Sequence, residues 1–243
     1  MSSKNKIRRF RENETFKCIV QPTTEEVFRK DYPLKGKWAE TFFGNSNPII
    51  LELGCGKGEY TVALARKFPN INFIGIDIKG ARLWRGAKTA TDENISNVGF
   101  IRTRIEFIES LFGKGEIAEI WITFADPQIK RDKKRLTYKF FLDRYRNFLV
   151  DNGIIHLKTD SRFFHEYTLC QVRENDLLLI EAHTDIYGTG RADEILSIKT
   201  FYESQFVSRG IPITYLAFRL PSDKQIVETT TWNPDEYIIG EER

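Results

Sequence analysis

The chain has 243 residues, 41% of them hydrophobic, which is the size and composition of one large domain with a sizeable buried core. Its 37 Lys and Arg residues nearly balance its 34 Asp and Glu residues, so the net charge of +3 does not by itself indicate a polyanionic partner. The cysteines are three, an odd number that argues against a disulfide framework, and they lack metal-ligand spacing, which predicts no bound metal. No apolar run is long enough to cross a bilayer, and we expect a cytoplasmic protein with no membrane partner.

The order of segments predicts three parts. Residues 1–45 are basic at their start and form a predicted N-terminal extension, residues 46–220 form the main domain, and residues 221–243 form a C-terminal tail. Within the main domain, short β-rich runs alternate with helical periodicity, which is typical of parallel α/β architecture. We predict a Rossmann-like sheet of seven strands, mostly parallel, with an antiparallel final strand.

The predicted strands and helices alternate along the domain. The strands are predicted, in chain order, at residues 49–53, 73–76, 98–101, 117–124, 153–158, 177–183 and 213–218. Helical periodicity is predicted at residues 60–68, 80–91, 136–150 and 163–175, and around Tyr202 and Phe206.

A glycine-rich turn follows the first predicted strand. Gly54, Gly56 and Gly58 separate this strand from the next helix, and glycine lets backbone approach a ligand closely. Ligands of open α/β sheets bind at the carboxyl ends of the strands, so the turn predicts a site for a nucleotide-like molecule. Its G-x-G-x-G spacing differs from the dinucleotide-binding fingerprint G-x-G-x-x-G. Glu52, inside the strand, would be costly to bury unless it meets a donor such as the ammonium group of S-adenosylmethionine, which narrows the predicted ligand.

Asp77 ends the second predicted strand, where a carboxylate can accept hydrogen bonds from ribose hydroxyls. NAD-dependent dehydrogenases use the same contact, so Asp77 identifies only a ribose. The alternative interpretation is structural: the glycines form a tight turn, Glu52 is a paired core charge and Asp77 caps a helix. Binding of S-adenosylhomocysteine but not of NAD would separate a methyltransferase from a dehydrogenase.

Asp126 follows the fourth predicted strand, which should lie beside the first strand, so that its carboxylate would face a bound methyl donor. An Asp-Pro pair after a strand is also an ordinary turn. A cluster of basic side chains comes next, at Lys130, Arg131, Lys133, Lys134 and Arg135. Beside a chemical site such a cluster predicts contacts with RNA phosphates, whereas on its own it is a solvated helix start.

Six motifs in chain order resemble the bacterial tRNA (guanine-N7)-methyltransferase family. They are LELGCGKG at 51–58, GID at 75–77, FADP at 124–127, KRDKKRLT at 130–137, HLKTD at 156–160 and TFYE at 200–203. The similarity extends over roughly residues 48–218. It implies an enzyme, monomeric or homodimeric, that methylates N7 of a guanine in tRNA, at guanine-46 of the variable loop, and converts S-adenosylmethionine to S-adenosylhomocysteine.

The resemblance also implies residue roles. Cofactor contacts are implied at Glu52, Asp77 and Asp126, and Asp126 is the implied active-site residue. The implied substrate contacts are Lys130, Asp160, Thr200, Phe201, Tyr202 and Glu203. A further cofactor position, usually acidic in the family, falls on Arg104, and Gln128 stands where the family commonly has tryptophan. The spacing of Thr200 and Glu203 is equally that of a helix capping box.

The predicted chemistry needs no catalytic base, because N7 of guanine carries a lone pair at neutral pH. The enzyme would mainly align the reactants and hold the base. Asp126 or Asp160 would accept hydrogen bonds from the N1–H and N2–H groups of guanine. Two alternatives are an exocyclic-amine methyltransferase, whose D/N-P-P-aromatic motif Gln128 and Ile129 do not supply, and a non-catalytic RNA-binding protein.

Overall fold

The computed structural model describes residues 3–237, together with the side chains of residues 5–237. The predicted extension and tail therefore each include residues outside this range, namely 1–2 and 238–243. Two compact units form, Met1–Ala118 and Glu119–Arg243. None of the helices in the described range is both long and apolar enough to cross a membrane.

The first unit holds four parallel strands. They are β1 (Ile19–Val20), β2 (Ile49–Leu53), β3 (Asn72–Asp77) and β4 (Val98–Arg102), in the spatial order β1-β4-β3-β2. The helices are α1 (Ser3–Asn13), α2 (Thr24–Val27), α3 (Glu59–Lys67), α4 (Gly80–Asp92) and α5 (Ile108–Leu111), with a π-helix at Trp38–Phe43 and a 3-10 helix at Ile105–Phe107. Leu51, Ile74 and Phe100 are fully buried, as expected for parallel strands covered on both faces.

The N-terminal residues pack onto this sheet unit. The Asn13 carboxamide donates to the Gly80 carbonyl at 2.8 Å, and the Arg9 guanidinium lies 4.3 Å from the Trp84 ring centroid. These contacts attach α1 to α4, and β1 pairs with β4. The domain boundaries at residues 45 and 220 stay a prediction.

The second unit holds all but the first two residues of β5 (Ile117–Thr123), together with β6 (Leu149–Thr159), β7 (Leu179–His183) and β8 (Thr214–Leu220), in the order β5-β6-β8-β7. β8 is antiparallel to both β6 and β7. The helices are α6 (Lys139–Tyr145), α7 (Arg162–Glu174) and α8 (Phe201–Ser208), with 3-10 helices at Asp132–Lys134 and Pro234–Glu236. Residues 226–232, here called the C-terminal segment, lie along α7: the Gln171 carboxamide donates to the Val227 carbonyl at 2.8 Å and accepts from the Thr229 amide at 2.9 Å.

The α/β class, with a mostly parallel sheet and an antiparallel final strand, is confirmed. Residues 3–237 form eight strands rather than the predicted seven, because the two-residue β1 is too short to give a sequence pattern. The helix predicted at residues 136–150 was wrong in extent. It covers only Lys139–Tyr145, since the chain turns at Tyr145 to Phe148 and has entered β6 by Leu149.

Candidate functional site

The turn between β2 and α3, residues 54–58 (the glycine turn), has left-handed backbone at all three glycines, with φ values of 74°, 58° and 69°. The Gly54 and Cys55 amides donate to the Ile76 carbonyl of β3 at 2.8 and 3.1 Å, which fixes the start of the turn to the sheet. A Cβ atom at Gly58 would lie 2.4 Å from the Phe100 ring, so only glycine fits there. A Cβ atom at Gly56 would meet nothing within 4 Å, so the backbone at this position borders open space.

Glu52 is 3% exposed, and its partners include Thr61 in the first turn of α3. One carboxylate oxygen accepts from the Thr61 amide at 2.9 Å and also from the Thr61 hydroxyl. The carboxylate therefore satisfies an amide at the α3 N-terminus, where the helix dipole favours negative charge. The buried carboxylate thus has a partner within the protein, which agrees with the alternative interpretation that Glu52 is a paired core charge.

Asp77 closes the glycine turn from the end of β3. Its Oδ2 accepts from the Gly56 amide at 3.0 Å and its Oδ1 accepts from the Lys79 amide at 2.7 Å. The side chain is half-buried, and each carboxylate oxygen can accept more than one hydrogen bond. Open space at Gly56 beside a fixed, partly accessible carboxylate fits a ligand with ribose hydroxyl groups.

Arg104 lies in the turn after β4, where its backbone caps the 3-10 helix Ile105–Phe107. Its side chain is 55% exposed and its guanidinium lies 3.4 Å from the Glu106 carboxylate. Arg104 therefore supplies a positive charge where the family resemblance predicts a negative one.

Asp126 sits in the loop of residues 124–135, here called the Asp126 loop. Phe124 and Gln128 flank it with φ values of 50° and 52°, a conformation that costs roughly 1–3 kcal/mol for a residue other than glycine. The Phe124 amide donates to the Lys158 carbonyl of β6 at 2.9 Å. Asp126 itself is exposed, and its Oδ1 accepts from the Gln128 amide at 2.9 Å. The strained backbone thus presents a carboxylate to the exterior.

The predicted basic cluster divides into two kinds of residue. Lys130, Arg131, Lys133 and Lys134 are exposed, as an RNA-contacting surface requires. Arg135 is 1% exposed, so its predicted RNA contact does not agree with its position. Its guanidinium donates to the carbonyls of Pro127 at 3.1 Å and Gln128 at 3.3 Å, because the loop carbonyls turn inward and need a donor.

Glu203 is fully buried and forms an ion pair with Lys158, Nζ to Oε1, at 2.7 Å. The ammonium also donates to the carbonyls of Leu196 at 2.7 Å and Ile198 at 3.0 Å, so its three protons have acceptors. Burial lowers the pKa of Lys158, and Glu203 opposes this shift. The Tyr187 hydroxyl donates to the same Glu203 oxygen at 2.7 Å. Because Glu203 is enclosed in this way, its predicted role as a direct substrate contact disagrees with its position.

Thr200 and Glu203 form a capping box at the start of α8. The Thr200 hydroxyl accepts from the Glu203 amide at 3.2 Å and a Glu203 carboxylate oxygen accepts from the Thr200 amide at 3.3 Å. Phe201 and Tyr202, the residues between them, are 51% and 41% exposed. The buried ion pair therefore anchors a helix start that presents two aromatic rings. Asp160 is half-buried between β6 and α7.

Sequence reasoning did not identify Thr61, Lys158 and Tyr187, and the burial of Arg135 does not agree with its predicted RNA contact. For Lys158 a signal was present: a lysine within an apolar strand must find a buried acceptor. Arg135 gave no such signal, because it continues a run of basic residues and the aromatic rings that enclose it, Phe163 and Tyr167, lie about 30 positions further along the chain. The structure brings Glu52, Asp77 and the glycine turn together in the first unit, and Lys158, Thr200 and Glu203 together in the second.

Comparisons with known proteins identify the family of the chain. A sequence family described as putative methyltransferase matches residues 46–216. The tRNA (guanine-N(7)-)-methyltransferase of Christiangramia forsetii is 57% identical over 90% of this chain and 100% of its own length. The enzyme of the same name from Bacteroides fragilis is 48% identical over 93% of this chain and 89% of its own.

Solved structures extend the likeness at the level of the fold. The 16S rRNA methyltransferase KamB has a TM-score of 0.57 at 13% identity, covering 72% of this chain and 88% of its own. The 16S rRNA (adenine(1408)-N(1))-methyltransferase of Catenulisporales acidiphilia, in a structure with cosubstrate SAM, has a TM-score of 0.54 at 15% identity, covering 82% and 92%. The fold, the glycine turn and the full-length relatives agree: this chain is a methyltransferase and belongs to the tRNA (guanine-N7)-methyltransferase family.

Proposed function

We propose that the protein transfers a methyl group from S-adenosylmethionine to N7 of a guanine in tRNA, at guanine-46 of the variable loop, and forms 7-methylguanosine. It would act in the cytoplasm as a monomer or a homodimer. The observation that carries this proposal is the exposed Asp126 carboxylate, presented by strained backbone and followed by four exposed basic residues. Both relatives described above are named tRNA (guanine-N(7)-)-methyltransferase, which supports N7 of guanine as the acceptor atom.

The glycine turn is the proposed cofactor site. Asp77 would accept hydrogen bonds from the ribose hydroxyls, and the backbone of Gly54, Gly56 and Gly58 would allow close approach. Glu52 would act through its contact with Thr61, which keeps the turn and α3 together. Arg104 is the proposed neighbour of the adenine side. When bound, the cofactor supplies an electrophilic sulfonium methyl group.

The residues of the second unit are proposed to hold the guanine. Its N7 lone pair needs no prior deprotonation, so Asp126 is proposed to orient the base rather than to remove a proton. A carboxylate matches the N1–H and N2–H donors of guanine, which makes Asp126 or Asp160 the proposed acceptor for that edge. Phe201 and Tyr202 offer exposed rings on which a base could stack, and Lys130 begins the phosphate-binding surface.

Nucleoside mass spectrometry of tRNA incubated with the protein and isotope-labelled S-adenosylmethionine tests the proposal. We expect labelled 7-methylguanosine, and no label in a matched transcript in which guanine-46 is replaced by adenine. Label in an N²-methylguanosine or a methyladenosine would contradict the proposed acceptor atom. Equal label in both transcripts would contradict the proposed position.

A further inference from the structure

Arg135 is a buried cation, and its partners lie in the Asp126 loop and in α7. Besides the carbonyls of Pro127 and Gln128, its guanidinium contacts the Asp132 carboxylate at 3.0 Å. Its Cζ atom lies 3.9 Å from the Tyr167 ring centroid and 4.9 Å from that of Phe163. A guanidinium held against aromatic rings by cation–π attraction keeps its N–H donors free for the loop carbonyls, so the aromatic pair determines where those carbonyls are held.

The C-terminal segment fixes that aromatic pair from the other side. The Tyr167 hydroxyl donates to the Glu228 carboxylate at 2.7 Å, and the Lys139 amide at the start of α6 donates to the second Glu228 oxygen at 3.4 Å. Trp232 packs edge-on against Phe163 at 5.3 Å and Tyr167 at 5.8 Å between ring centroids. Burial raises the pKa of Glu228. A continuous series of contacts therefore links Glu228, through Tyr167 and Arg135, to the two carbonyls that directly follow Asp126.

We propose that Glu228 is a positioning residue for methyl transfer, acting through Tyr167 and Arg135 on the backbone that carries Asp126. The proposal rests on the proposed function of Asp126. Glu228 accepts from the Tyr167 hydroxyl, so the ring cannot rotate away from the guanidinium, and the loop keeps its left-handed residues. Without this acceptor the loop would remain attached but would sample several backbone conformations, of which few present the carboxylate to the base.

Single-turnover methylation by the full-length protein tests this role, with Glu228→Ala, Glu228→Gln and Tyr167→Phe as variants. Gln retains an acceptor for the Tyr167 hydroxyl and serves as the conservative rescue, while Phe retains the ring beneath Arg135. We expect the rate constant to fall about tenfold in Glu228→Ala and to stay within about threefold in Glu228→Gln, since one well-made hydrogen bond is at stake. The KM for tRNA and the affinity for S-adenosylhomocysteine should change less than twofold.

Thr230→Ala is the matched control, because Thr230 is exposed in the same segment and contributes its amide, which donates to Glu174 at 2.9 Å. This variant should behave as the wild type. A general loss of folding would instead weaken S-adenosylhomocysteine binding and lower the methylation rate together. If both Glu228→Ala and Tyr167→Phe showed this combined loss, the proposal would be overturned. An unchanged rate in Glu228→Ala would overturn it as well.

Hydrogen exchange provides a readout that does not depend on the reaction. The amides of Arg131, Lys134 and Arg135 donate within the loop at 2.8–3.0 Å, so they report its order. Glu228→Ala should accelerate their exchange while leaving the amides of the glycine turn unchanged. Unchanged exchange in the loop would overturn the inference. If loop exchange were faster in Glu228→Ala but the wild-type protein formed no 7-methylguanosine, the proposed function would be overturned. The structural coupling of Glu228 to the Asp126 loop would still be supported.

Discussion

The glycine turn and the Asp126 loop each hold a carboxylate at the end of a strand, but different interactions maintain their backbones. In the turn, the glycines tolerate left-handed backbone, and Glu52 and Asp77 accept from amides of the turn and the helices beside it. In the loop, Phe124 and Gln128 adopt left-handed backbone without being glycine. The Lys158 carbonyl accepts from the Phe124 amide, and Arg135 donates to the Gln128 carbonyl. The side chains of Lys158 and Arg135 are in turn held by Glu203 and Tyr167, which lie tens of residues further along the chain. The turn is therefore self-supporting, whereas the loop depends on distant residues.

The largest expected effect tests the distant support of the loop. Lys158→Met leaves Glu203 as an unpaired buried charge, which should lower the free energy of unfolding by about 3–5 kcal/mol. The double variant Lys158→Met/Glu203→Leu removes both charges and should recover most of this loss. Denaturant titration of both proteins measures the difference. A single variant as stable as the wild type would mean that the buried pair does not hold this region.

Asp126→Ala separates loop structure from loop chemistry. The side chain is exposed, so stability should change by less than about 0.5 kcal/mol, while single-turnover methylation should fall about 10²–10³-fold. Asp126→Asn keeps an acceptor for the Gln128 amide and controls for loop geometry. If Asn restored the rate, Asp126 would act only as a turn residue. The exposed Asp223 supplies a control, Asp223→Ala, that should leave the rate unchanged.

The same contrast explains how far sequence reasoning reached. Gly54, Gly56, Gly58, Glu52 and Asp77 all lie within 26 positions, and their pattern alone predicted the strand, the turn and the ligand class. β1 could not be predicted, because two residues give no periodicity. Arg135 was assigned to RNA because it continues a basic run, and only the fold shows that Phe163 and Tyr167 enclose it.

The burial of Glu203, which was predicted to contact substrate, has the same physical origin. Thr200 and Glu203 show the spacing of a capping box, and this local interpretation is present in the structure. What the spacing could not show is that Lys158, over 40 positions earlier, completes the site by burying its ammonium against Glu203. Local patterns predict local hydrogen bonds, while buried pairs between distant segments require the fold.

Low pH should destabilise α7, the helix that carries Phe163 and Tyr167 and thereby supports the Asp126 loop. His165, 1% exposed, has its pKa lowered to about 4, chiefly by burial, with Arg162, His183 and Arg173 adding to the effect. The unfolded state binds this proton near pH 6.5 and the folded state only near pH 4, so stability falls as the pH drops between these values. The loss should approach about 3 kcal/mol and be absent from the pH profile of His165→Leu. Identical profiles would contradict a neutral buried imidazole.

A smaller effect is expected in the self-supporting turn. Asp77→Asn keeps one acceptor oxygen, so the side chain can serve Gly56 or Lys79 but not both. The dissociation constant for S-adenosylhomocysteine should rise about tenfold, and the free energy of unfolding should fall by about 1 kcal/mol. Calorimetric titration measures the first quantity and thermal unfolding the second. Asp92→Asn, at the exposed end of α4, is the matched control and should leave the affinity unchanged.

The smallest expected effects distinguish the two kinds of basic residue in the loop. Lys130→Gln, Lys133→Gln and Lys134→Gln should each reduce the slope of log affinity for tRNA against log salt by about 0.7–0.9, because each exposed ammonium releases one counterion on binding a phosphate. Arg135→Gln should leave the slope unchanged while lowering the methylation rate, because its guanidinium is already bound to Pro127 and Gln128. Affinity measurements across a range of salt concentrations give all four slopes. A reduced slope for Arg135→Gln would mean that the residue leaves its buried position to bind RNA, and the loop would then be held by its substrate rather than by α7.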